Sequence, residues 1–108
     1  MTSKTADTFW ADIYLSGPID VAKQVLREDL LANPLCVTVT PTTFLYTGGE
    51  EVGYVVGVRN YPRFPEDSTS LSAKARRLAE LLLDKTFQTS AMVVTPHKTY
   101  WISKRKEN

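Results

Sequence analysis

Residues 9–18 read Phe-Trp-Ala-Asp-Ile-Tyr-Leu-Ser-Gly-Pro, and the fold follows from how this stretch is read. Phe9, Ala11, Ile13 and Leu15 fall on one side of an extended chain, and Trp10, Asp12, Tyr14 and Ser16 on the other. A period of two is that of a strand with one apolar and one mixed face. Gly17-Pro18 ends the strand and opens a helix, because the missing N–H of proline is not needed in a first helical turn. Within residues 18–33, Ile19, Ala22, Val25, Leu26 and Leu30 share one helical face, while Lys23, Gln24, Arg27 and Glu28 lie off it. Asn33-Pro34 closes this helix, since the residue before proline is pushed out of the helical region.

Beyond it, residues 35–47 are rich in Val, Thr, Phe and Tyr, and residues 52–61 resume as a strand. Gly48-Gly49-Glu50-Glu51 between them reads as the turn of a hairpin with a flexible acidic tip. Pro62-Arg63-Phe64-Pro65 is a stiff connector, and Glu66-Asp67-Ser68 suits a helix start. Leu71, Ala75, Leu78, Ala79 and Leu82 then make the apolar face of a second helix ending near Thr86. A last strand runs from Ala91 to Thr95, Pro96-His97-Lys98 turns or bends it, and residues 99–103 continue as strand.

Strand, helix, strand, strand, helix, strand is the α+β, ferredoxin-like βαββαβ order. It predicts a four-stranded antiparallel sheet, ordered four-one-three-two, with both helices on one face. Pro41 and Pro96 fall in the two strands assigned to the edges, where a missing N–H does least harm. The short run Val39 to Phe44 also resembles Val94 to Tyr100, as two related halves would. The expected core is Ile13, Leu15, Leu26, Val37, Val39, Val56, Val58, Leu78, Leu82 and Val94. Residues 1–8 read as a flexible arm, 9–103 as one domain and 104–108 as a basic tail.

The composition agrees with a single soluble domain. The chain has 108 residues, 43% hydrophobic and 23% charged, with a formal net charge of +1. A duplex-DNA binder normally carries a clear basic excess, so this balance argues against one. One cysteine, Cys36, cannot form an internal disulfide. No apolar run approaches the roughly 20 residues of a membrane helix, and residues 1–7 lack an apolar signal core. The expectation is a cytoplasmic protein with no membrane partner.

Chemistry is harder to find. His97 is the only histidine, set in a turn, and neither it nor Cys36 has an orienting partner at recognisable spacing. A zinc site within one chain is disfavoured, and neither a phosphate loop nor a GxGxxG is present. The reading is therefore non-enzymatic, with no catalytic residue, metal or cofactor. What stands out is the sheet face without helices. Alternation places Trp10, Asp12, Tyr14, Thr38, Thr40, Val55, Gly57, Arg59, Tyr61 and Val93 there, with part of residues 99–102. Trp10, Tyr14, Arg59 and Tyr61 are the candidate binding or interface residues, because aromatics and arginine are enriched at interfaces. A wet apolar face would be costly, so a homodimer is expected to cover it.

Ile13-Tyr14-Leu15-Ser16-Gly17 resembles the first-strand signature of RNA-recognition domains. The matching aromatics on the third strand are missing, since Val55 and Gly57 stand there. Single-stranded nucleic-acid binding is thus the weaker alternative, beside small-ligand binding at a dimer interface. The same residues 13–17, with Leu35 to Phe44, Tyr46 to Glu51 and Asn60 to Pro65, resemble small proteins encoded by tailed phages and prophages. That resemblance implies an accessory protein in the host cytoplasm, self-associating and engaging a host or defence protein.

Overall fold

The alternation in the first strand becomes an all-or-none pattern of burial. In the computed structural model, which describes residues 1–105, β1 spans Trp10–Ser16. Ala11, Ile13 and Leu15 are sealed from solvent, and their neighbours are half-buried on the other face. α1 (Ile19–Ala32) follows Pro18, and Asn33, which caps its C-terminus, donates its backbone N–H to the Asp29 carbonyl. β2 (Val37–Tyr46) and β3 (Gly49–Arg59) form a long antiparallel hairpin. α2 (Ser68–Lys85) starts at Asp67, whose carboxylate accepts the Ser70 N–H at 2.7 Å. β4 (Ser90–Val94) and β5 (Thr99–Ser103) complete the chain.

The sheet runs β2-β3-β1-β4-β5, antiparallel throughout, with the helices on one face. Five strands replace the expected four. The cause lies at Thr95, whose hydroxyl accepts the N–H of Lys98 at 3.0 Å and donates to the Lys98 carbonyl at 2.8 Å. Its own N–H also reaches that carbonyl at 2.9 Å. Thr95 thus folds Pro96-His97 into a reversing turn, and what read as one bent strand doubles back as a β4–β5 hairpin. Pro41 does sit on an edge strand, since β2 pairs only with β3.

α2 packs chiefly on β1 and β4. It brings Leu71, Ala75, Leu78, Ala79, Leu82 and Leu83 onto Ala11, Ile13, Leu15, Val56, Val58, Ala91 and Val93. α1 adds Ala22 and Leu26, while Val37 and Val39 lie partly buried at the margin. An Arg77–Asp29 pair, bonded at 3.1 and 2.7 Å, ties the helices together. The guanidinium hydrogen bonds hold the Asp29 carboxyl below its ordinary pKa. Being partly exposed, the pair contributes about 1 kcal/mol or less. Tyr54 lies wholly within the core, where burial raises its phenol above the ordinary value.

Two placements differ from expectation. Val93 belongs to the core, and Val94 to the open face opposite Asp12. The run Ser90-Ala-Met-Val-Val94 is apolar at both parities, so its period cannot reveal its phase. The hairpin turn is Thr47-Gly48, with Gly48 at φ +86°, and Glu50 and Glu51 are strand residues rather than a loop tip. Past the Ser16–Gly53 pair, residues 43–52 leave β1 behind as a two-stranded ribbon. The molecule measures 51 × 29 × 24 Å as a result. Its radius of gyration is 14.7 Å, where a spherical chain of this length gives about 13 Å.

Residues 1–9 carry no regular element, though the Asp7 carbonyl accepts from the Asn60 side chain. Of the expected basic tail, Lys104 reaches the Leu83 carbonyl near the C-terminus of α2, and residues 106–108 lie outside the described residues. No helix among the described residues is long and apolar enough to cross a membrane. Leu78→Ala removes a fully buried side chain beneath α2 and should lower the unfolding free energy by ~2–5 kcal/mol. Denaturant titration checks this, and an unchanged midpoint would contradict the packing described.

Candidate functional site

The helix-free face is ordered by cross-strand register into three rows. Thr38, Gly57, Asp12, Val94 and Thr99 form the first. Thr40, Val55, Tyr14, Met92 and Trp101 form the second. The third contains Thr42, Gly53 and Ser16. Side chains of alternate residues share a face, so each row follows from the period of β1. The middle row is apolar and aromatic, with Met92 and Trp101 exposed.

Each flanking row is opened by a glycine in β3. A Cβ on Gly57 would overlap the Thr38 hydroxyl and crowd the Arg59 guanidinium at 3.3 Å. A Cβ on Gly53 would overlap the Leu15 carbonyl and the Phe44 ring. Both glycines are buried, so long side chains lie flat across them.

Arg59 closes the first end. Its Nη1 donates to an Asp12 carboxylate oxygen at 2.8 Å, and Trp10 lies beside it with its ring centroid 5.8 Å from the guanidinium carbon. Glu51 closes the other end. One of its oxygens accepts the Ser16 hydroxyl at 2.7 Å, and the other the Tyr46 phenol at 3.3 Å. Desolvation first, then the Glu51 charge and its hydrogen bond, raise the Tyr46 phenol above its ordinary pKa. Phe44 sits opposite Glu51 in the ribbon.

Of the four residues expected on this face, Trp10, Tyr14 and Arg59 come together. Tyr61 has left β3 and turns to Cys36, whose thiol interaction, with burial, raises the Tyr61 phenol. Cys36 itself is exposed. His97 and Lys98 border a separate cleft of about 250 Å³ behind Trp10, with Ser72, Arg76 and Tyr100. Among the described residues no three His, Cys, Asp or Glu side chains gather as a metal site needs. Glu51, Ser16, Phe44, Tyr46, Met92 and Trp101 were not among the candidates named from sequence, although the alternation had already put Ser16 and part of residues 99–102 on this face. Starting β3 at Gly49 rather than Val52 would have carried the alternation through Glu51, opposite Phe44 in the strand already expected.

Two solved structures share this fold. A phage SAM lyase in its apo state matches 100% of this chain and 99% of its own, at a TM-score of 0.78 and 15% identity. A phage SAM lyase in complex with S-methyl-5'-thioadenosine matches 95% of each chain, at a TM-score of 0.72 and 18% identity. No family model and no curated protein matches the sequence. The fold is therefore one found in phage proteins, consistent with the phage resemblance at that level.

The likeness overturns the non-enzymatic expectation, because the matched structures are of an enzyme. That expectation rested on missing histidine, thiol and triad partners, and it left Glu51 out of account as a loop residue. Nucleic-acid stacking also loses support. The face pairs its arginine with Asp12 and adds the Glu51 carboxylate, which repels a phosphate chain.

The Tyr46–Glu51 contact gives a direct check on this geometry. Glu51→Gln should let the Tyr46 phenol titrate at lower pH, because a charge that disfavours phenolate is gone. Phenolate absorbance, with Tyr46→Phe identifying the affected group, reads the shift. An unchanged titration would separate the two side chains in solution.

Proposed function

We propose that this protein is a lyase that binds S-adenosylmethionine on the open sheet face and releases S-methyl-5'-thioadenosine. The observation that carries this reading is the Glu51 carboxylate, held by Ser16 and Tyr46 at the edge of an aromatic surface. A fixed carboxylate is a group that takes a ribose diol, as acidic residues do in dinucleotide sites. Phe44 and Tyr46 beside it offer rings for adenine, and base–aromatic stacking is worth ~1–3 kcal/mol. The shared fold with the complex that holds S-methyl-5'-thioadenosine supports the choice of ligand.

The chemistry asks little of the protein. The substrate is a sulfonium, and when its bond to the methionine γ-carbon breaks, the electron pair leaves on a neutral thioether. No acid has to protonate that leaving group. Either the substrate's own carboxylate attacks the γ-carbon, forming a lactone C–O bond as the C–S bond breaks with no proton to place, or a base, water or a carboxylate, takes a proton from the β-carbon as the thioether leaves. Product analysis distinguishes the two. The protein's part is to hold the extended substrate and exclude water. The middle row suits the sulfonium, since an aromatic ring such as Tyr14 attracts a cation over its face.

A single flat face buries too little of a ligand, because small-molecule sites cover most of their guest. We include a second copy of the chain, as a homodimer, to supply the other wall. The open face provides apolar surface for it, with Met92 37% and Trp101 56% exposed.

Chromatography of a mixture of protein and S-adenosylmethionine should show S-methyl-5'-thioadenosine accumulating. Glu51→Gln should weaken binding of the product about 10–100-fold, the usual range for a lost charge-assisted hydrogen bond. No turnover together with no calorimetric binding of the product would refute the reading. Light scattering at assay concentration tests the second wall, and a mass near 12.1 kDa would remove it.

A further inference from the structure

The Glu51 end of the face accounts for a nucleoside. The other end holds an ion pair that the nucleoside does not use. Asp12 lies one row beyond Tyr14, on the same side of the sheet as Ser16, and Arg59, a row further out beside Trp10, reaches back to it. Along β1 the four residue steps from Asp12 to Ser16 span about 13 Å. In extended S-adenosylmethionine seven bonds, roughly 9 Å, separate the ribose 3'-oxygen from the α-carbon, and a hydrogen bond of about 2.8 Å at each end brings the reach close to this span.

The pair is only half spent. The Arg59 Nη1 atom supplies every hydrogen bond that this side chain makes among the described residues, to Asp12, to the Val58 carbonyl and to the Ala11 carbonyl. Its Nη2 and Nε atoms, which form the fork that grips a carboxylate, are left for another acceptor. Only one Asp12 oxygen meets Arg59. The side chains are 44% and 22% exposed, so both remain reachable. Trp10 on one side and the bare backbone of Gly57 on the other hold the guanidinium against the sheet.

An isolated arginine here would suit any phosphate or carboxylate. With Asp12 against it the site is neutral, and a simple anion or cation meets as much repulsion as attraction. A ligand carrying both charges on adjacent atoms satisfies both partners. We propose that Asp12 and Arg59 form the subsite for the α-amino-acid zwitterion of the substrate. The Arg59 fork takes the carboxylate, and the outer Asp12 oxygen takes the ammonium. The assignment rests on the nucleoside reading above and makes the pair a specificity determinant rather than part of the bond-breaking step.

S-adenosylhomocysteine tests it, because it carries the zwitterion yet has a neutral thioether in place of the sulfonium. S-methyl-5'-thioadenosine lacks the zwitterion and serves as the control. Calorimetry on the parent should show S-adenosylhomocysteine binding the tighter of the two. Arg59→Gln should weaken S-adenosylhomocysteine at least tenfold and leave S-methyl-5'-thioadenosine within twofold. Arg59→Lys, which keeps the charge and loses the fork, should fall between, and it carries the test if the Gln variant fails to fold. Equal weakening of both ligands, or no loss for S-adenosylhomocysteine, would overturn the subsite while leaving the nucleoside reading intact. A parent that binds neither ligand would overturn both.

Discussion

Burial of Ala11, Ile13 and Leu15 beneath α2 is the constraint on which the other face depends. A strand has no intermediate setting: moving its register by one residue would send Asp12 and Tyr14 into the core and expose the aliphatics. Because β1 is flanked by β3 and β4, its setting fixes theirs as well. The apolar core on one side therefore holds the rows of Asp12, Tyr14 and Ser16 in place on the other. These site residues need no tight packing of their own, since the scaffold orients them.

The elements that could be read from sequence were those whose pattern had a single interpretation. The β1 alternation, the α2 face from Leu71 to Leu82 and the Asp67 helix start each allow one structure, and each was found where expected. The misplaced features had two. Gly48 and Gly49 can both turn a chain, and the choice between them moves Glu51 from a loop to a strand. The apolar run 90–94 fits either phase. Pro96 can bend a strand or sit in a turn, and the decision lies with the Thr95 hydroxyl, a contact no periodicity encodes.

The candidate site was legible to the same extent. Trp10, Tyr14 and Arg59 follow from the alternation of two adjacent strands, so their gathering required no knowledge of side-chain contacts. Glu51 and Ser16 are 35 positions apart, and their pairing depends on the hairpin register. The non-enzymatic expectation had a separate cause. A search for nucleophiles, bases and metal ligands assumes that the protein supplies the reactive group. A sulfonium substrate brings its own leaving group, so a protein acting on one leaves little catalytic signature in its sequence.

The charge of the chain follows the same logic. A net charge of +1 provides no long-range field to draw in a polyanion, and such fields act chiefly on encounter rates. What the open face offers is short-range: a carboxylate at one end, an opposed ion pair at the other, and an apolar row between them. Arg59 and Asp12 nearly cancel at a distance, yet at contact each retains an unused hydrogen-bonding edge. Charges that cancel over the length of one side chain are attractive only to a molecule whose own charges alternate on that scale. The two glycines of β3 make that arrangement possible, because each lets a long side chain lie flat where any Cβ would lift it off the sheet. On the reading proposed above, spacing, more than the identity of a single residue, is what this face uses to recognise its ligand.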